Sequence, residues 1–273
     1  MIRVSGPSLA AGAVGGLANA GVVLALYARG GYPALESIAE IGSLAATAFA
    51  LGFAALFVSA HTRLVSPALG FFAALAGATS LELTSPMPEW SELGEYVIVE
   101  GPIHAASYAN TWYVWFALLL VAGTVEFAVR RGYGIGDRRL RHLPALPLSR
   151  PALVGTVLGA SGLVGAATTA LVIRSGIRPT AAALVVFVVA TAVAAVPLAA
   201  LLARGLLAPA ALFAALVPYF LAVEVFVTTD SPVHILLFGP YAVVLVAVWA
   251  LEAALRSRLR GWDGGRFVGR EPV

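Results

Sequence analysis

Long apolar runs, each close to twenty residues, alternate with short polar segments along the whole chain. A run of this length is what an α-helix needs to cross the hydrocarbon layer of a membrane. The pattern predicts eight spans, over residues 8–28, 38–60, 66–84, 103–129, 152–173, 181–203, 207–228 and 235–255. The ten-residue alternating segments of a transmembrane β-barrel do not occur in this sequence. The chain is therefore predicted to be an all-α integral membrane protein.

The composition agrees with this class and excludes several kinds of chemistry. Hydrophobic residues make up 60% of the chain and charged residues only 11%, whereas a soluble domain has about 25% charged residues. All 17 basic residues are arginine, which excludes a retinal Schiff base and any lysine nucleophile. The chain has no cysteine, which excludes disulfides, thiolate catalysis and iron–sulfur clusters. A metal or cofactor would have to be held by histidine, carboxylate, methionine or backbone groups.

The arginines predict how the chain is oriented in the membrane. Only Arg29, Arg174 and Arg178 fall on one side of the eight spans, and all the others fall on the opposite side with both termini. Arginine concentrates on the cytoplasmic side of membrane proteins, so we expect a plasma-membrane protein with both termini cytoplasmic. The basic loop at 130–150 is expected to contact anionic lipid, with simple orientation of the chain as the alternative. We expect no nucleic-acid partner despite the net charge of +3, because the arginines are placed as those of a membrane protein are. The sequence does not identify a protein partner.

Spans one to four resemble spans five to eight. Three residues recur at one constant separation: Pro67 with Pro209, Phe71 with Phe213, and Glu82 with Glu224. Such self-similarity predicts a duplicated architecture. Because each half has an even number of spans, we predict two parallel four-helix repeats related by a pseudo-two-fold axis along the membrane normal. The predicted parts are a first repeat at 1–131, a basic linker at 132–150, a second repeat at 151–256 and a flexible cytoplasmic tail at 257–273.

Small residues also recur on two predicted helix faces. Gly12, Gly16 and Ala20 share a face of the first span, and Gly155 and Gly159 share a face of the fifth. Faces of small residues allow helix backbones to approach closely in lipid. We interpret both faces as sites of helix packing.

The most distinctive repeated segment is a pentapeptide at the start of the fourth and eighth spans. The two copies are Glu100-Gly-Pro-Ile-His104 and Asp230-Ser-Pro-Val-His234. Glu82 and Glu224 stand upstream, about 22 Å along their helices, and so close to the outer interface. A carboxylate at that depth is costly unless it is paired, protonated or in contact with water, which makes it a functional candidate.

Together these repeated positions form a candidate metal site. The predicted ligands are Glu82, Glu100, His104, Glu224, Asp230 and His234. Four carboxylates and two histidines match the donor set of carboxylate-bridged dimetal sites. A single ion held by two histidines and one or two carboxylates is equally consistent, and iron, zinc or copper would suit. The alternative interpretation is a duplicated helix start, because an acid followed by proline is common at helix N-termini.

Further polar residues are expected to line a cavity beside this site. They are Ser107, Tyr108 and Thr111 of the fourth span, Glu40 of the second and Tyr241 of the eighth. The loop at 85–102, which carries Trp90 and Tyr96, is expected either to cover the site as a lid or to lie at the membrane interface.

The leading functional hypothesis is a membrane protein that binds a transition metal near its outer face, for metal-dependent chemistry or metal handling. One alternative is a small proton- or cation-coupled transporter that uses the intramembrane glutamates. Another is a non-catalytic subunit of a membrane complex. No phosphate-binding loop, nucleophile elbow or HExxH motif indicates a reaction, so enzymatic activity is left open.

The duplicated four-helix halves resemble those of the haem A synthases. That family uses pairs of histidines within each half, whereas this chain has one outer histidine per half, His104 and His234. The resemblance is therefore one of architecture, and haem is a less favoured cofactor than a metal ion.

Overall fold

The computed structural model describes residues 5–94, 96–176, 179–227, 233–258 and 265–267, and helices dominate them. Seven of the spanning helices are α1 (Gly6–Arg29), α2 (Ile38–Thr62), α3 (Ser66–Thr84), α5 (Trp112–Tyr133), α6 (Arg150–Arg174), α7 (Thr180–Arg204) and α8 (Ala208–Phe226). The eighth span, His234–Arg258, consists of the short helix α9 (Val233–Leu236) and helix α10 (Phe238–Arg258). A further short helix, α4 (His104–Asn110), precedes α5. Eight helical segments are long and apolar enough to cross a membrane, which confirms the predicted multi-pass, all-helical class.

The chain folds as two compact units, residues 1–116 and 117–273, and the division falls inside α5. In the first unit α1 packs along α2, and α3 packs against α2. The short helix α4 contacts all three of them. In the second unit α6 packs along α7, and both α8 and α10 pack against α7. The short helix α9 contacts α7 and α8.

The fourth predicted span, 103–129, is not one continuous helix. Helix α4 ends at Asn110, and the backbone of Thr111 (φ −111°, ψ 24°) departs from helical geometry before α5 begins. The Thr111 hydroxyl donates to the carbonyl oxygen of Ser107 at 2.6 Å, and the Trp115 indole donates to that of Tyr108 at 3.2 Å. These side chains satisfy carbonyl groups that lose helical partners at the break. A hydropathy profile cannot register such a local interruption.

The loop at 85–102 contains a β-hairpin that the sequence analysis did not predict. Strand β1 (Glu89–Leu93) pairs antiparallel with β2 (Tyr96–Glu100), so that Trp90 lies across from Val99. Gly94, in the connection, has a φ of +64°, a conformation that glycine adopts without steric cost. The glycine between two short runs containing aromatic and β-branched residues was the available signal.

Helices α2 and α7 bury residues at the same places along their lengths. The matched buried pairs are Leu44 and Val186, Ala48 and Ala190, Leu51 and Val193, Gly52 and Ala194, and Ala55 and Pro197. Every pair has the same separation in sequence as Glu82 and Glu224. The residues that end these helices, Arg63 and Gly205, have this separation too, and both are left-handed, with φ of 64° and 66°.

A second constant separation relates α1 to α6. The matched buried pairs are Gly12 and Val157, Gly15 and Ala160, Gly16 and Ser161, Asn19 and Val164, Ala20 and Gly165, Val23 and Thr168, Leu26 and Leu171, and Tyr27 and Val172. The two units therefore turn corresponding helix faces inward, each within its own fold.

The two faces of small residues differ in what they contact. In α1, a Cβ atom added to Gly15 would lie 2.6 Å from the carbonyl oxygen of Gly52, so the backbones of α1 and α2 nearly touch. Gly16 makes room in the same way for the ring of Phe49. In α6, a Cβ on Gly155 or Gly159 would meet no atom within 4 Å among the described residues. The packing interpretation thus holds for α1, while the α6 face makes no such contact in the described chain.

Candidate functional site

Glu82 lies in the last turn of α3 and is only 4% exposed. Its Oε1 accepts a hydrogen bond from the hydroxyl of Tyr32 at 2.9 Å. Its Oε2 accepts one from the backbone N–H of Ala105, in the first turn of α4, also at 2.9 Å. Arg29 donates to the backbone carbonyl oxygen of Glu82 at 3.2 Å. The carboxylate therefore joins the turn after α1 to the start of α4, and each of its oxygens already accepts a hydrogen bond.

The turn after α1 delivers Tyr32 to this position. Gly31 has a φ of +61°, which reverses the chain and lets the Tyr32 N–H bond to the carbonyl oxygen of Tyr27 at 3.1 Å. The ring of Tyr32 stacks on that of Tyr27, with centroids 4.3 Å apart. From the hairpin, the Trp90 ring packs edge-on against Tyr32 at 5.1 Å, and its indole N–H donates to the carbonyl oxygen of Gly30 at 2.9 Å.

The surroundings of Tyr32 keep its phenol protonated. Burial, followed by the hydrogen bond to Glu82, raises the pKa of Tyr32 above its ordinary value. A protonated phenol remains a donor, which is what a buried carboxylate oxygen requires. The N-terminus of α4 adds the positive end of a helix dipole near the other oxygen. In this unit Glu82 links three segments of the chain: the end of α3, the turn after α1 and the start of α4.

Glu224 lies in the last turn of α8 and is 6% exposed. Its Oε2 lies 3.1 Å from Nε2 of His234, in α9, which is the distance of an ion pair. Among the described residues, Nε2 has no partner in hydrogen-bond geometry, so the Glu224 oxygen lies off the direction of its N–H bond. The two atoms are therefore close enough for an ionic contact, but their angle does not allow a hydrogen bond. Phe220, one turn earlier on α8, packs beside the imidazole with ring centroids 5.9 Å apart.

The other predicted ligands do not complete a metal cluster in the described chain. Asp230 lies outside the described residues. Glu100 is exposed at the end of β2, across from Glu89, and His104 is the first residue of α4. Within the residues that the structure describes, no group of three or more histidine and carboxylate side chains could hold one ion. Among the five predicted ligands that the structure describes, Glu224 and His234 contact each other.

The predicted cavity-lining residues mostly use their polar atoms within the protein. The hydroxyl of Tyr108 donates to Oδ1 of Asn19 at 3.0 Å, and Nδ2 of Asn19 donates to the carbonyl oxygen of Ala48 at 2.8 Å. This buried network ties α4 to α1 and α2. Tyr241 donates to the carbonyl oxygen of Leu212 at 2.7 Å.

The remaining predicted cavity residues are placed as follows. Ser107 is half-buried and accepts the Thr111 bond through its carbonyl oxygen. Glu40 is exposed in the first turn of α2. Sequence reasoning missed Asn19 and Tyr32, although a single asparagine in an apolar span and a tyrosine beside a Gly-Gly turn were visible signals.

Comparisons with protein-family models, curated proteins and solved structures found no match for this chain.

Proposed function

We propose that this multi-pass membrane protein binds one divalent transition-metal ion through Glu224 and His234. The contact between their Oε2 and Nε2 atoms, at 3.1 Å, carries the proposal. Two donors that each bind one ion at about 2.1 Å lie roughly 3.0–3.4 Å apart, for ligand angles from a right angle to the tetrahedral angle. An ion on the axis of Nε2 would also leave the second donor off that axis, as is found here. Iron, zinc and copper all accept a ligand set of imidazole and carboxylate.

The difference between the two glutamates supports a site in the second unit only. Tyr32 and Ala105 already occupy the oxygens of Glu82. The turn Arg29-Gly-Gly-Tyr32 is matched in sequence by Arg174-Ser-Gly-Ile177, and Ile177, outside the described residues, has no hydroxyl to donate. The second unit's sequence therefore offers no tyrosine at the position of Tyr32, whose hydroxyl donates to Glu82. We assign Glu82, with Glu100 and His104, to the structure of the first unit; the remaining predicted ligand, Asp230, lies outside the described residues.

We also infer that the two units arose by duplication of a four-span repeat. The matched buried faces of α1 and α6 and of α2 and α7 support this. Helices α3 and α8 add to the support, since both have 19 residues and a proline in the first turn. Duplication followed by specialisation explains why Glu82 has a structural role and its counterpart, Glu224, is a ligand. The plasma membrane and the cytoplasmic termini stay predictions.

Metal titration of the purified protein tests the site. Protein stripped with a chelator would be titrated with Zn²⁺, and with Co²⁺, whose visible absorption reports imidazole and carboxylate coordination. We expect one ion per chain, with at least tenfold weaker binding in Glu224→Gln and in His234→Gln. Glu82→Gln and His104→Gln are the matched controls, because they change the same residue types at corresponding positions. The proposal fails if the native protein binds no ion, or if the control variants lose binding equally.

Proton-coupled transport is a second candidate function. A buried carboxylate beside an imidazole can share a proton, and histidine changes charge near neutral pH. Transport predicts a pH-dependent flux in liposomes that Glu224→Gln abolishes and that Glu82→Gln leaves in place. A flux that is indifferent to Glu224 would exclude this function.

A further inference from the structure

The arginines from the last turn of α5 to the first residue of α6 fall into two sets that differ in what they contact. Arg130 pairs with Glu126 at 2.7 Å and donates to the carbonyl oxygen of Gly136. Arg131 pairs with Asp137 at 2.5 Å and also donates to the carbonyl oxygens of two residues further along the loop, Leu143 and Pro144. These two guanidinium groups hold the connecting segment together. They have few donors left for another molecule.

A second set is directed outward. It consists of Arg138, Arg139, Arg141 and Arg150, which are all exposed and whose side chains make no hydrogen bond or ion pair with the described residues. The first three flank Leu140, which is only 8% exposed and is therefore inserted into the protein. The short helical turn Asp137–Arg139 precedes this leucine. The three arginines are thus displayed on a segment that is fixed on both sides.

Asp137 is the residue that fixes the turn. Its two carboxylate oxygens accept hydrogen bonds from Arg131 and from Arg266 in the C-terminal segment, both at 2.5 Å. Phe267, the next residue, is buried against Tyr133 at the end of α5, with ring centroids 5.5 Å apart. Asp137 offsets positive charge on Arg131 and Arg266. The exposed arginines of the second set have no such acidic partner among the described residues.

The location of this turn indicates its partner. Helix α5 ends at Tyr133 and α6 begins at Arg150, and both are membrane spans, so the segment between them lies at a membrane surface. We propose that Arg138, Arg139 and Arg141 form a binding site for the phosphate groups of anionic phospholipids in the adjacent leaflet. Guanidinium groups bind phosphate oxygens through paired, charge-assisted hydrogen bonds. An anionic leaflet surface attracts basic segments that lie within a Debye length of it.

Lipid binding to the detergent-solubilised protein tests the proposal. Native mass spectrometry would compare bound phosphatidylglycerol with bound phosphatidylcholine, for the full chain and for the triple variant Arg138→Gln, Arg139→Gln, Arg141→Gln. Each arginine near a membrane surface contributes about fivefold to the binding of acidic lipid, so the triple variant should lose on the order of 100-fold of the preference for phosphatidylglycerol. Arg174→Gln, which removes the arginine at the opposite end of α6, should leave the preference unchanged.

Three further arms separate the explanations. The variant with lysine at the same three positions should keep most of the preference, because the charge is retained. Asp137→Asn should weaken the preference by loosening the turn, even where circular dichroism shows an intact helical fold. Inorganic phosphate at the same concentration should not compete with the lipid. The proposal is overturned if the glutamine variant keeps its preference, if the lysine variant is as weak as the glutamine variant, or if free phosphate displaces the lipid.

Discussion

The hydroxyl of Tyr32 donates a 2.9 Å hydrogen bond to Oε1 of Glu82, which joins the turn after α1 to the end of α3. Neither residue is more than 4% exposed, so the bond is shielded from competing water. The sequence that follows α6 has isoleucine at the position corresponding to Tyr32, and the buried Glu224 lies 3.1 Å from Nε2 of His234. The two buried glutamates thus contact different kinds of side chain.

Replacing Tyr32 by phenylalanine should destabilise the protein by about 1–3 kcal/mol, because Oε1 of Glu82 would be buried without a donor. Thermal unfolding in detergent, followed by circular dichroism, measures the loss. Tyr96→Phe is the matched control, since Tyr96 is 77% exposed and its loss should have no effect. Equal unfolding temperatures for Tyr32→Phe and the native protein would contradict the structural role of Glu82.

Gly52→Ala should separate α1 from α2. The new Cβ atom would lie 2.2 Å from the carbonyl oxygen of Gly15, so one backbone must move, at a cost of about 1–3 kcal/mol or more. Gly155→Ala, on the open face of α6, should instead be neutral or stabilise by up to about 1 kcal/mol through helix propensity. Chemical denaturation of both variants decides the matter, and a harmless Gly52→Ala would be incompatible with the close approach of α1 and α2.

Glu252 and Glu126 offer a comparison between a capping carboxylate and a simple ion pair. Each pairs with an arginine four residues later, but Glu252 also accepts the backbone N–H groups of Leu207 and Ala208, at 3.1 and 2.8 Å. Glu252→Ala should cost about 1–2 kcal/mol, as the loss of a helix cap does, and Glu126→Ala about 0.5 kcal/mol or less. Unfolding measurements that rank the two variants in the reverse order would contradict the capping role.

The contribution of Asp137 to the stability of the folded protein should depend on pH. The hydrogen bond from Arg131, assisted by that from Arg266, lowers the pKa of Asp137 below its ordinary value of 3.8. Its stabilising effect should therefore be complete above the ordinary pKa and be lost as the pH falls through the lowered one. The difference in unfolding temperature between the native protein and Asp137→Asn, measured from pH 6 down to pH 2.5, should be constant at first and then shrink. A difference that grows on acidification would contradict the assignment.

The sequence predicted some parts of the site and not others for a definite reason. Glu82 and Glu224 were expected at the outer ends of their helices and are found in the last turns of α3 and α8, because depth follows from counting residues along a helix. The partner of Glu82 was not predicted, since Tyr32 is fifty residues away and reaches it only through the Gly30-Gly31 turn. The buried Asn19–Tyr108 bond spans 89 residues and was missed for the same reason.

By itself, the sequence determined that this is a membrane protein with eight spans, and where seven of them lie to within a few residues. The fourth was predicted to begin at residue 103, whereas its spanning helix begins at Trp112. Transfer of an apolar run into hydrocarbon is a local property, which every stretch of about twenty residues carries on its own. Only the tertiary structure decided which buried polar group meets which donor, where the fourth span breaks at Thr111, and that the hairpin anchors through Trp90 on Gly30. Those outcomes depend on long-range packing, because a buried polar atom needs a partner at hydrogen-bond distance and the chain can supply it from any other helix.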